Sequence, residues 1–111
     1  MKHFTTQSDH VLVLTTWPDS KAAREQAQHW LQKKLAACVN ILPEMQSLYI
    51  WEEQLEQGKE HQLLIKTCSS KLAALQQAIV EAHPYECPEI LVLPITGGLP
   101  DYLNWITGNT E

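Results

Sequence analysis

The chain has 111 residues, 44% hydrophobic and 19% charged, with a formal net charge of −5. That length suits one domain over 1–111, and burying roughly 65% of the unfolded surface leaves it a thin margin of stability. A single arginine, Arg24, and an acidic balance exclude nucleic acid and anionic membrane as partners, because both need clustered Lys and Arg.

No apolar run approaches the roughly 20 residues of a membrane span. The opening MKHFTTQSDH is polar, lacks the apolar centre of a signal peptide, and reads as a flexible segment over 1–9. The cysteines, Cys38, Cys68 and Cys87, form an odd set without CxxC spacing, which places the chain in a reducing cytoplasm with free thiols.

VLVLTT (11–16) is an unbroken β-branched and leucine run, the pattern of a central strand covered on both faces. Trp17-Pro18-Asp19-Ser20 follows and ends in good N-cap residues. Ala23, Ala27, Trp30, Leu31 and Leu35 then recur at helical spacing, with Arg24, Gln28, Gln32 and Lys33 off the stripe. This predicts an amphipathic helix of about four turns lying on a sheet. CVNIL (38–42) is the second strand, broken by Pro43, and SLYIW (47–51) resumes extended character. EEQLEQGKE (52–60), with Gly58 near its end, reads as a hairpin turn, and HQLLIKTC (61–68) as the third strand. Ser69 or Ser70 caps a second helix with the stripe Leu72, Leu75, Ile79 and Ala82, which Pro84 stops at His83. EILVLPI (89–95) is the fourth strand. Leu99-Pro100-Asp101 starts a short helix carrying Tyr102, Leu103, Trp105 and Ile106, closed by Gly108.

The order β-α-β-β-α-β plus a terminal helix is an α+β, ferredoxin-like plan: a four-stranded antiparallel sheet with helices on one face. Right-handed crossovers are read as giving the first and last strands parallel connections. The hairpin over 38–68 is longer than the rest of the sheet can pair. Its surplus, Leu48 to Trp51, is an aggregation hazard unless another chain covers it. Self-association is therefore expected.

The stretch AHPYECPE (82–89) concentrates coordinating groups between two prolines. His83 is the best single metal ligand, since imidazole suits late first-row metals and copper most of all, with Glu86 and Cys87 close enough to add oxygen and thiolate. The simpler role, and the favoured one, is that His83 bonds the last carbonyls of its helix and the stretch is a rigid corner. Catalysis is not expected. Cys87 could use His83 as a base, but no oxyanion-donating loop adjoins it. Glu52, Glu53, Glu56 and Glu60 read as a solvated hairpin tip. Lys66, in an otherwise apolar strand, reads as an interface ion pair with Glu60 or Glu89 and secondarily as a ligand contact. Trp51, Tyr85, Tyr102 and Trp105 are open to two equal accounts, contacts between subunits and core packing. Cys68 reads as packing. An acylphosphatase-type enzyme on this plan would need its arginine in a phosphate-cradling loop, whereas Arg24 lies within a helix. An RNA-recognition module would need exposed aromatics on a basic sheet.

KLAACVNI (34–41), SLYIWEEQLE (47–56), Lys66-Thr67, HPYECPE (83–89) and DYLNW (101–105), taken together and in order, resemble the CutA divalent-cation tolerance family across nearly the whole chain. The resemblance implies a cytoplasmic, non-enzymatic homotrimer of ferredoxin-like subunits, similar in architecture to the PII signalling proteins and linked to tolerance of copper and other divalent ions. In some members copper is assigned to a cysteine near the end of the first strand and to a His-His pair. Those positions hold Thr15, next to Thr16, and Ala82-His83 here, so His83 alone carries over. A weakly held copper ion at His83, Glu86 and Cys87 is the only cofactor expected. Lys66, Trp51, Tyr85, Glu89 and Trp105 form the interface or ligand-cleft set. The alternative is a PII-like sensor holding a small anion in an intersubunit cleft, with Lys66 and the backbone near Gly97-Gly98 contributing.

Overall fold

Five strands and three α-helices follow one another as β1 (His10–Trp17), α1 (Ser20–Gln32), β2 (Cys38–Ile41), β3 (Met45–Trp51), β4 (Gln54–Cys68), α2 (Leu72–Ala82), β5 (Leu91–Pro94) and α3 (Pro100–Gly108). The structure, a computed structural model, describes residues 8–111. The expected flexible segment over 1–9 lies outside the described residues except at Ser8 and Asp9. There the chain is tied in: Ser8 Oγ donates to the Ile95 carbonyl at 2.6 Å, and the Ser69 N–H donates to the Asp9 carbonyl at 2.9 Å.

The strand order is β2-β4-β1-β5, with β3 paired to the outer part of β4. All pairings are antiparallel, β1 against β4 from His10↔Cys68 to Trp17↔His61 and β1 against β5 from Val11↔Pro94 to Leu14↔Leu91. The first and last strands therefore run antiparallel, not in the parallel relation expected. The crossovers through α1 and α2 make β1 parallel to β2, and β4 parallel to β5. In each case one antiparallel strand is interposed, which is the split βαβ arrangement.

Helix α1 starts as expected, with the Asp19 carboxylate accepting from the Ala22 N–H at 2.9 Å. Its end is less conventional. Lys34 adopts a left-handed φ of 61°, while the Lys34 N–H donates to Leu31 O and the Leu35 N–H donates to Trp30 O. That bond pair is a Schellman ending built on a lysine where glycine is usual. The hairpin corrects the expected turn at 52–60. Glu52 and Glu53, at φ 49° and 68°, form a two-residue turn of the kind hairpins favour, and β4 runs unbroken for 15 residues through Gly58. A Glu-Glu pair carries no turn signature, so the glycine drew the turn to the wrong place. At the start of α2, Ser69–Lys71 form a 3-10 turn and neither serine caps the helix; Lys71 holds the N-cap without a side-chain bond.

Alternation along β1 and β4 divides the molecule. Val11, Val13, Trp17, Leu63 and Ile65 face α1 and α2, packing with Ala23, Ala27, Trp30, Leu75 and Ile79 into the main core. Leu31 and Ala82, expected on the helical stripes, are exposed. Leu12, Leu14, Leu64, Lys66 and Cys68 point the other way, being one residue out of phase. Helix α3 covers one end of that second face. His10 Nε2 lies 2.9 Å from Thr107 Oγ1, and Thr110 Oγ1 donates to Cys68 Sγ at 3.3 Å. Helices thus lie on both faces, which corrects the one-faced expectation. Cys68 is buried, as its packing role requires. Among the described residues no helix is long and apolar enough to cross a membrane.

Candidate functional site

β5 stops pairing with β1 at Leu14, so the last three residues of β1 have a free edge on that side. The corner 83–89 fills it. Pro84 prevents α2 from continuing, and His83 leaves the helix in an extended conformation. Its imidazole is buried, packed 4.2 Å from the Trp17 ring and 4.7 Å from that of Tyr85, centroid to centroid. Nε2 lies 2.6 Å from the Thr16 carbonyl, and Nδ1 accepts the Tyr85 N–H at 3.0 Å. A carbonyl can only accept, so Nε2 carries the proton and the ring is the neutral Nε2–H tautomer. The expected bond from the ring to its own helix end is not made. The His83 backbone N–H closes the helix instead, on Ile79 O, and the ring ties the corner to β1.

Two further stitches join the corner to β4. The Tyr85 hydroxyl donates to Glu60 Oε2 at 3.1 Å, and Gln62 Nε2 donates both to the Thr15 carbonyl at 2.8 Å and to Glu89 Oε2 at 3.0 Å. Partial burial first, then the hydrogen bond and charge of Glu60, push the Tyr85 phenol up to about 12. Glu60 and Glu89, the two expected partners of Lys66, are thereby engaged within the chain. Lys66 Nζ lies 5.8 Å from the centre of the Tyr102 ring instead. Trp17 and Gln62 were not anticipated at this site. The one signal for Gln62 is its place two residues before Leu64 and four before Lys66, on the same face of a largely apolar strand.

The donors for a metal do not converge in one chain. Both ring nitrogens of His83 are engaged, while Glu86 and Cys87 are exposed. Among the described residues no group of three or more His, Cys, Asp or Glu side chains could hold an ion. One protomer by itself therefore assembles no closed donor set of the kind a structural metal site uses. The same occupancy of His83 removes it as a base for Cys87. Thr15, at the position of the family's strand cysteine, is fully buried, and its Oγ1 has no hydrogen-bond partner among the described residues.

The remaining aromatic candidates separate cleanly. Trp17 and Trp30 are core, whereas Trp51, Tyr85, Tyr102 and Trp105 are exposed, the last two stacked at 5.4 Å on α3. Trp51 ends β3 beside a hairpin surface on which Leu48, Ile50 and Leu55 are 67%, 68% and 71% exposed. On the second face of the sheet Leu91 and Leu93 of the edge strand β5 are also exposed.

The CutA1 divalent ion tolerance protein family matches residues 11–109. The divalent-cation tolerance protein CutA of Pectobacterium atrosepticum is 46% identical over 101 residues, covering 91% of this chain and 92% of its own length. The crystal structure of CutA1 from the psychrotrophic bacterium Shewanella sp. SIB1 superposes with a TM-score of 0.91 at 36% identity, over 95% of this chain and 98% of that one. The periplasmic divalent cation tolerance protein CutA of Archaeoglobus fulgidus gives a TM-score of 0.88 at 36% identity, over 92% and 99%.

Proposed function

Since the chain belongs to the CutA1 divalent ion tolerance protein family, whose members are tolerance proteins and not enzymes, we propose that it works as a one-domain cytoplasmic homotrimer that meets divalent ions, copper(II) foremost, as passing ligands at the corner 83–89. The trimer is supported by the exposed leucines of the second sheet face and by the apolar hairpin, which a solvated monomer would leave uncovered. The cytoplasm is supported by three cysteines that form no disulfide.

The observation that carries the metal reading is the state of His83. Its Nδ1 is held by a single backbone N–H, next to the exposed Glu86 and Cys87. A copper ion would have to displace that N–H to reach the nitrogen, with the carboxylate and thiolate as further donors. Because this displacement opposes binding, affinity is modest, and because metal donors must be deprotonated it falls in acid. Calorimetry with copper(II) chloride, on the wild type and on His83→Ala, near pH 7 and near pH 5, tests this. Loss of binding in the variant, and weakening of the wild type in acid, support the corner. Equal binding by both proteins would move the site to Cys38 or the hairpin carboxylates, and no binding by either would leave the corner purely structural.

The second reading, a small anion in an intersubunit cleft, rests on Lys66, which has no carboxylate partner among the described residues. A thermal-shift series with nucleotides alongside metals separates the two, since any ligand specific for the folded form raises the midpoint with its affinity.

A further inference from the structure

We infer that the cleft beneath the start of α1 binds a small organic carboxylate bearing an apolar group, using Arg24 as the anchor. The cleft has a volume of about 430 Å³ and is lined by Ser20, Arg24 and His61 together with Val39, Ile41, Leu42 and Pro43. The cleft is open to solvent, so a ligand seated there keeps part of its surface exposed and binds weakly.

Its shape follows from Pro43. The edge strand ends at Ile41 and resumes at Met45, so residues 42–44 interrupt its regular ladder with β4 as a bulge. Two bonds fix the bulge: the Leu42 N–H donates to Gln62 O at 2.9 Å, and His61 Nδ1 donates to the Leu42 carbonyl at 2.9 Å. The second bond holds the His61 ring against the cleft and leaves Nε2 unpartnered among the described residues. Above it Ser20 opens α1, and Arg24 follows one helical turn later on the same side.

Arg24 is the only arginine in the chain, it is exposed, and it forms no hydrogen bond or ion pair among the described residues. A guanidinium presents a planar fork of donors that matches a carboxylate in bidentate fashion. The Ser20 hydroxyl adds one more donor. Opposite them, Leu42 and Pro43 are exposed apolar side chains with Ile41 beside them. An apolar tail lying there removes that surface from water while its carboxylate stays on Arg24.

The charge count limits the ligand class. One guanidinium facing a chain of net charge −5 suits a monoanion better than a phosphate ester. The remote negative charge is largely screened beyond about 10 Å, so the groups in contact decide. A divalent ion is disfavoured by the arginine itself. The cleft shares none of His83, Glu86, Cys87 or Lys66, so it stands or falls separately from the metal reading.

The test is a titration of the full chain with 4-methylpentanoate, followed by amide chemical shifts. The expected result is a Kd on the order of 0.1–1 mM, with shifts confined to residues 20–24, 39–43 and 61. Acetate and the neutral 4-methylpentanamide should each bind at least about tenfold more weakly. Arg24→Gln should lose binding by a similar factor with an otherwise unchanged spectrum, because the side chain it removes is exposed and unpaired. Leu42→Ala should keep carboxylate binding but narrow the preference over acetate. Equal binding by Arg24→Gln, equal binding of the amide, or no shift up to about 20 mM ligand would each overturn the assignment.

Discussion

The two faces of the sheet are built from the same strands and much the same residues, yet they end in different states. On one, Val11, Val13, Leu63 and Ile65 are sealed under α1 and α2. On the other, one residue out of phase, Leu12, Leu14 and Leu64 are only half-buried, and Leu91 and Leu93 stand exposed beyond the reach of α3. The VLVLTT run has the composition of a strand covered twice, and a single chain covers one face fully and the other only at the end under α3. An apolar surface with no polar reason to face water is a statement about what packs on it. The first face therefore carries the fold of the protomer, and the second is the face proposed for association.

Substitutions can break this contrast or sharpen it. The largest effect is expected from Leu63→Ala, which leaves a cavity beneath two helices and should lower stability by about 2–5 kcal/mol in urea unfolding. If it cost no more than Leu91→Ala on the exposed edge, the distinction between the faces would fail. A smaller change of opposite sign should come from Lys34→Gly. The left-handed backbone at the end of α1 strains any side-chain-bearing residue there by about 1 kcal/mol, and glycine relieves most of that. Its midpoint should rise without altering association, since Lys34 ends a helix on the sealed face. The smallest effect concerns the stitch from the corner to β4. Tyr85 has its phenol raised to about 12 by partial burial and by Glu60, so the folded state favours the neutral form. Because the shift is upward from an ordinary value near 10, the stabilisation is fully present below about pH 10 and is lost as pH rises through about 12. Tyr85→Phe should therefore be slightly less stable than wild type at neutral pH, with the gap closing in that alkaline window.

Element order and fold class were legible in the sequence because hydrophobic period and proline placement are local signals. The stop of α2 at Pro84 and the Asp19 cap are cases in point. The misread features all depend on partners distant in sequence or on backbone conformations without a residue signature. Glu52-Glu53 turns the hairpin through positive φ angles that glutamate does not advertise. Helix α3 lies on the second face because Thr107 and Thr110 meet His10 and Cys68, partners 97 and 42 residues away. His83 was visible as a candidate ligand, but it is buried against Trp17 and its bond to Thr16 O spans 67 residues. Lys66, expected to pair across a subunit interface, has neither carboxylate as a partner within the chain, where hydrogen bonds join Glu60 to Tyr85 and Glu89 to Gln62.

Association through the second face is tested most directly by mass in solution. Native mass spectrometry or light scattering at micromolar concentration should give the mass of three 12.7 kDa chains for the wild type. Leu93→Glu on the sheet face and Trp51→Glu at the hairpin should shift that mass toward one chain while far-ultraviolet dichroism stays unchanged. A wild type that is monomeric at micromolar concentration would contradict the assignment of that face to association.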